Sequence, residues 1–179
     1  MSMLMADTMS IFFVILGMML ALPGLWLLCR GLWPEAVAAA ANRCHQRLWS
    51  SFLVGLPITF MMVAITAFLF NVLGPIGKFA GVAVVCLYML QAQTGVSGLV
   101  TSIGHRLATP FDEQRPWRST LRGGVVLELA YLLPFLGWFV ILPASIVIGS
   151  GAANLSLLSN LKLALFSANL ATDHAGGAA

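Results

Sequence analysis

The chain has 179 residues, 60% hydrophobic and 8% charged, with a formal net charge of +3 and a mean hydropathy of +0.95. A soluble domain carries about 25% charged residues, so the polar side chains needed to cover a water-soluble globule are missing, and the apolar content excludes disorder. A bilayer removes the need for that cover, and the pattern predicts an all-α, polytopic membrane protein with about four membrane-embedded helical segments, some broken by Pro and Gly.

The first apolar block runs from Met9 to Cys29. Asp7, and no Lys or Arg, precedes it, so it is expected to be a retained helix rather than a secretory signal with a basic head. Pro23 and Gly24 are placed to kink it, and Trp26 stands where an interfacial aromatic is expected. In Arg30–Trp49, Pro34 suits a first helical turn and Glu35 its positive end. The alanine run that follows favours helix. This segment is expected to be a short interfacial helix or an extension of the next span.

The second block, Ser50–Val72, carries Gly55 and Pro57 near its start and ends at a tight break, Leu73–Lys78. Asn71, just before the break, is placed to cap freed carbonyls. The third block, Phe79–Ser102, turns mildly polar in its second half, with Gln91, Gln93, Thr94, Ser97 and Thr101. Those side chains are costly in lipid and are expected to face other helices or emerge at the interface.

Gly104–Arg122 is hydrophilic, with Arg106, Arg115, Arg118 and Arg122 against Asp112 and Glu113. Pro110 and Pro116 argue against one continuous helix there. The fourth block, Gly123–Ala153, is interrupted by Pro134, Gly137 and Pro143. It admits a single kinked span or a hairpin turning at LPFLG. The hairpin needs its first arm lengthened by residues around Trp117–Arg122, or is re-entrant. The expected domain organisation is one membrane-embedded unit, 1–153, followed by a weakly amphipathic tail and a disordered end, 154–179.

Positive residues in short loops set topology. Arg30, Arg43 and Arg47 place the first loop in the cytoplasm, and the Arg-rich Gly104–Arg122 loop falls on the same side. Lys78 is a single contrary charge. The N-terminus is then outside; the C-terminus is outside if Gly123–Ala153 crosses once and inside if it is a full or re-entrant hairpin.

Glu128 is the most conspicuous candidate for function, because a carboxylate inside an apolar block is costly. It lies about 9 Å beyond Arg122 by helical rise. The bland reading pairs it with Arg122, Arg118 or Lys162; the sharper readings make it a proton or ion site, or a subunit contact. Asn71, Gln91, Gln93, Glu128 and Arg122 are the candidate polar contacts between helices or subunits. No nucleophile elbow, zinc-protease, Walker or paired-carboxylate pattern occurs, so no catalytic residue is expected. His45 beside Cys44, and His105 near Asp112 and Glu113, match no metal spacing. Cys29, Cys44 and Cys86 form no CxxC pair, so neither a metal site nor a disulfide framework is expected, and no cofactor. Nothing in the basic residues suggests nucleic-acid binding.

Gly55–Pro57, the LGPIG turn at Leu73–Gly77, and Leu133–Ala152 together resemble the membrane domain attached to some bactofilin-like, polymer-forming cytoskeletal proteins of bacteria. The resemblance covers roughly Trp49–Ala153 and consists of Gly and Pro punctuation; the β-helical bactofilin domain has no counterpart here. It implies a multi-pass helical module of the bacterial inner membrane, an anchor or assembly partner, and transfers no catalytic residue. The expected function is a non-enzymatic subunit or scaffold component of a membrane complex. Its partners would be membrane lipids and either further copies of the chain or other integral membrane proteins. The alternative is a small homo-oligomeric channel or transporter, with Asn71, Gln91, Gln93, Thr94 and Glu128 as its polar line.

Overall fold

A computed structural model describes residues 2–72, 74–107, 117–133 and 135–176, with side chains placed for 7–71, 74, 76–107, 117–133 and 135–161. Every regular element among them is helical: α1 Ser2–Leu32, α2 Pro34–Gln46, α3 Leu48–Val72, α4 Gly74–Arg106, α5 Trp117–Tyr131, a π-helical turn Gly137–Ile141, and α6 Leu142–Gly176. Among the described residues, four stretches are long and apolar enough to cross a bilayer: Asp7–Leu32, Leu48–Asn71, Ile76–Arg106 and Gly137–Leu161. The fold is that of a polytopic, all-α membrane protein. Pro110, Asp112, Glu113, Arg115 and Pro116 lie outside the described residues, as does the side chain of Lys162.

The breaks are narrower than the sequence suggests. At the break expected over Leu73–Lys78, α4 starts at Gly74, whose φ of +59° is open to glycine at little cost, and Ile76–Lys78 are already helical. Pro75 sits just inside that start, where its missing N–H is no loss. Helices α1 and α3 run through Pro23 and Pro57.

The fourth block folds back on itself. The hydroxyls of Tyr131 and Ser145 are 2.6 Å apart, whereas a continuous helix would separate residues at that spacing by about 21 Å. This is the hairpin alternative, with its first arm lengthened to begin at Trp117. The arm α5 has 15 residues, about 22 Å long, shorter than a hydrocarbon core of about 30 Å. The π-helical turn opens the second arm. Leu142 N–H reaches back to the Gly137 carbonyl, and this wider turn lies where Pro143 would crowd the carbonyl four residues earlier. The expected boundary at 153/154 falls inside α6, whose backbone continues to Gly176.

Helix contacts are made by small residues and hydroxyls. A β-carbon on Gly95 would strike the Gly149 carbonyl, and one on Gly55 the Val147 carbonyl. In the same way Gly104 abuts the Ser119 carbonyl and Gly123 that of Val100, which sets α5 antiparallel to α4. Thr59 bridges three helices, 2.7 Å from the Tyr88 hydroxyl and 3.4 Å from that of Ser150. Without a hydrophobic drive between helices in lipid, close backbone approach and such bonds hold the bundle.

Two of the sequence expectations need correction. Trp26 is not an interfacial aromatic: it is 1% exposed, in a cluster with Val96, Val100, Leu127 and Tyr131. Its Nε1 donates to Gln93 Oε1 at 3.0 Å, which answers the indole's need for an acceptor. Helix α2 does not lie on the membrane surface with its apolar face in lipid. Val37, Ala40, Ala41 and Cys44 are buried, and Ala40 and Cys44 cluster with Leu99 and Ala152 of α4 and α6.

Candidate functional site

Arg30, Arg106, Arg118 and Arg122 gather at one end of the bundle, whereas Lys78 lies at the other end of α4. The C-terminal ends of α1 and α4 meet the N-terminal end of α5 there. Arg30 donates to Thr120 Oγ1, and Thr120 lies 3.1 Å from Thr101 Oγ1. Ser97 Oγ donates to the Trp26 carbonyl at 2.8 Å, fixing α4 against α1 one turn further in. Beside this network a cavity of about 560 Å³ opens between α2 and α4, bordered by Arg30, Asn42, His45, Thr101, Ser102 and His105.

A second cavity, about 210 Å³, lies deeper, beneath the hairpin tip. Met18, Met19 and Leu22 of α1 form one wall; Tyr131, Trp138 and Leu142 form the other. Glu128 enters this apolar space from α5. Its residue is only 3% exposed, and among the described residues neither carboxylate oxygen has a hydrogen-bond partner. Hydrogen bonds to Arg118 and Arg122 are therefore absent, and the bland pairing with them fails. The helix explains this: Glu128 shares the buried face of α5 with Gly124, Leu127 and Tyr131, whereas Arg122 is exposed. Around the tip, Phe135 is 80%, Trp138 61% and Phe139 77% exposed.

The other candidate residues do not converge on Glu128. Asn71 is exposed and donates to the Ala67 carbonyl of its own helix at 2.7 Å. Gln91 and Thr94 border a groove between α2, α4 and α6, and Thr94 donates back to the Gln91 carbonyl. Gln93 is engaged with Trp26. Sequence reasoning missed Trp26, Arg30 and Thr120 as the interlocking set at the basic end. A signal existed in α1: Leu22, Trp26, Cys29 and Arg30 share one helical face. Thr120 had none, since its partners come from helices distant in the chain. His45 and His105 are both exposed, on opposite walls of the larger cavity. Among the described residues, no three His, Cys, Asp or Glu side chains converge in a way that could hold a metal. No protein-family model, curated protein or solved structure matches the chain.

Proposed function

We propose that this chain is a non-enzymatic subunit of a membrane complex, joined to its neighbour through the Glu128 cavity and the exposed aromatic tip of the re-entrant hairpin. The observation that carries this reading is the carboxyl group of Glu128, buried with neither oxygen bonded among the described residues. A buried polar group without a partner costs on the order of 1–3 kcal/mol, more when charged. A donor from a second helix, the same chain's or another protein's, removes that cost. Phe135, Trp138 and Phe139 supply the large apolar contact beside it. The setting we propose is the bacterial inner membrane, as the resemblance to bactofilin-associated membrane domains implies. The loops Arg30–Trp49 and Gly104–Arg122 are then cytoplasmic, and the hairpin returns the C-terminal helix to that side.

The test is gentle extraction followed by native mass spectrometry and in-membrane crosslinking at Trp138→Cys. The wild type should be recovered with a second copy or a membrane companion. Glu128→Leu should abolish that association, while Glu128→Gln, which keeps a donor and an acceptor, should retain part of it. A wild type that is monomeric and uncrosslinked in its native membrane overturns the proposal. The channel or transporter reading has less support, because its polar residues occupy separate places. Reconstituted ion flux that is lost in Glu128→Gln would favour it instead.

A further inference from the structure

The cavity at the basic end has the makings of an anion site. It is large enough for a phosphate group with its ester substituent, and its polar wall is a set of donors. Arg30 stands at one side, held by its bond to Thr120, so its planar fork is ordered before any ligand arrives. The imidazoles of His45 and His105 come from α2 and α4, and either tautomer of each offers an N–H. Asn42 adds an amide, and Ser102 a hydroxyl. Among the described residues, no carboxylate borders the cavity.

Its depth is also informative. Arg30 and His105 both lie within two residues of the ends of apolar spans, Asp7–Leu32 and Ile76–Arg106. That is the level at which lipid phosphates sit. The remaining wall, Val37 and Ala41 of α2, is apolar and suits an acyl or glycerol backbone.

We infer that this cavity binds a phosphate ester, with Arg30, His45 and His105 converging on its oxygens. The phosphate belongs either to an anionic lipid headgroup or to a soluble phosphorylated molecule. The site is independent of the Glu128 contact and survives if that reading fails.

The experiment uses the full chain, purified in mild detergent and stripped of lipid. Native mass spectrometry and thermal stability are recorded with phosphatidylglycerol, with diacylglycerol of the same chains, and with soluble glycerol phosphate. Phosphatidylglycerol should bind and stabilise, and diacylglycerol should bind at least about tenfold more weakly, as expected for loss of charge-assisted hydrogen bonds. Competition by glycerol phosphate at comparable concentration identifies a soluble ligand; failure to compete identifies a lipid. Asn42→Asp places a negative charge on the exposed wall and should reduce binding by about tenfold or more. His45→Gln with His105→Gln, both at exposed positions, should weaken it by a similar factor while circular dichroism and unfolding stay unchanged. Arg30→Gln is a secondary variant, because it also touches Thr120. Equal binding of phosphatidylglycerol and diacylglycerol overturns the inference. So does retention of binding within about twofold in both Asn42→Asp and the histidine double variant.

Discussion

The two halves of α4, one apolar and the other mildly polar, meet different surroundings. From Gly95 to Ser102 every residue is buried, whereas between Lys78 and Leu90 most are exposed. The buried half contains Gly95, Ser97, Gly98, Thr101 and Ser102; the exposed half contains Phe79, Val82, Leu87 and Leu90. In water the larger side chains would be inside. In lipid they gain little by leaving the acyl chains, and the small residues are buried because they let backbones touch. Helix α1 repeats the pattern: residues 7–18 are all exposed, and the buried residues are Pro23, Trp26 and Cys29.

The largest effect should come from filling the close contact. Gly95→Leu should destabilise the bundle by more than about 3 kcal/mol or prevent its folding, since the Gly149 backbone cannot yield. Gly17→Ala, in open space on the exposed half of α1, should shift stability by less than about 1 kcal/mol, in the stabilising direction. Unfolding by SDS titration in mixed micelles would compare the two. Similar losses at both positions would show that the halves do not differ.

Glu128→Leu should come next. It removes an unbonded buried carboxyl from the inner region and should stabilise the isolated monomer by about 1–3 kcal/mol in the same titration, even as it abolishes association. A destabilised monomer would mean that the carboxyl already has a partner within the chain. Tyr131→Phe should cost about 1 kcal/mol, because Ser145 keeps its bond to the Leu142 carbonyl.

The smallest effect concerns Cys44, on α2 outside the spans. Burial pushes its thiol up to about 12. The folded chain thus holds this proton well above the ordinary thiol value of about 8.5. The contribution is constant below that value, and stability declines as pH rises from there toward about 12. A maleimide at pH 8 should leave Cys44 unmodified in the native protein and label it after denaturation, as mass mapping of peptides would show. Rapid native labelling would show α2 to be loosely docked.

The all-α membrane class was legible because charge-poor composition and apolar blocks of spanning length leave few alternatives. Hairpin formation was legible only as one of two options, since Pro134, Gly137 and Pro143 break a helix without saying whether the chain bends or reverses. The bond from Tyr131 to Ser145 decides that. The placement of α2 was not legible, because an alanine-rich helix with a basic end suits a membrane surface as well as a glycine-lined groove. Nor was the isolation of Glu128, which depends on the rotation of α5 about its axis.

Local pattern, then, determined where this chain is helical and which stretches can cross a bilayer, because hydrogen bonding in lipid leaves the backbone little choice. Tertiary structure alone decided how α2 and α5 are rotated and docked, since in lipid hydrophobicity does not distinguish the faces of a helix without a polar stripe. It brought Arg30, Thr101 and Thr120 together at one end, and left the Glu128 carboxyl, beneath the hairpin tip, without a hydrogen bond among the described residues.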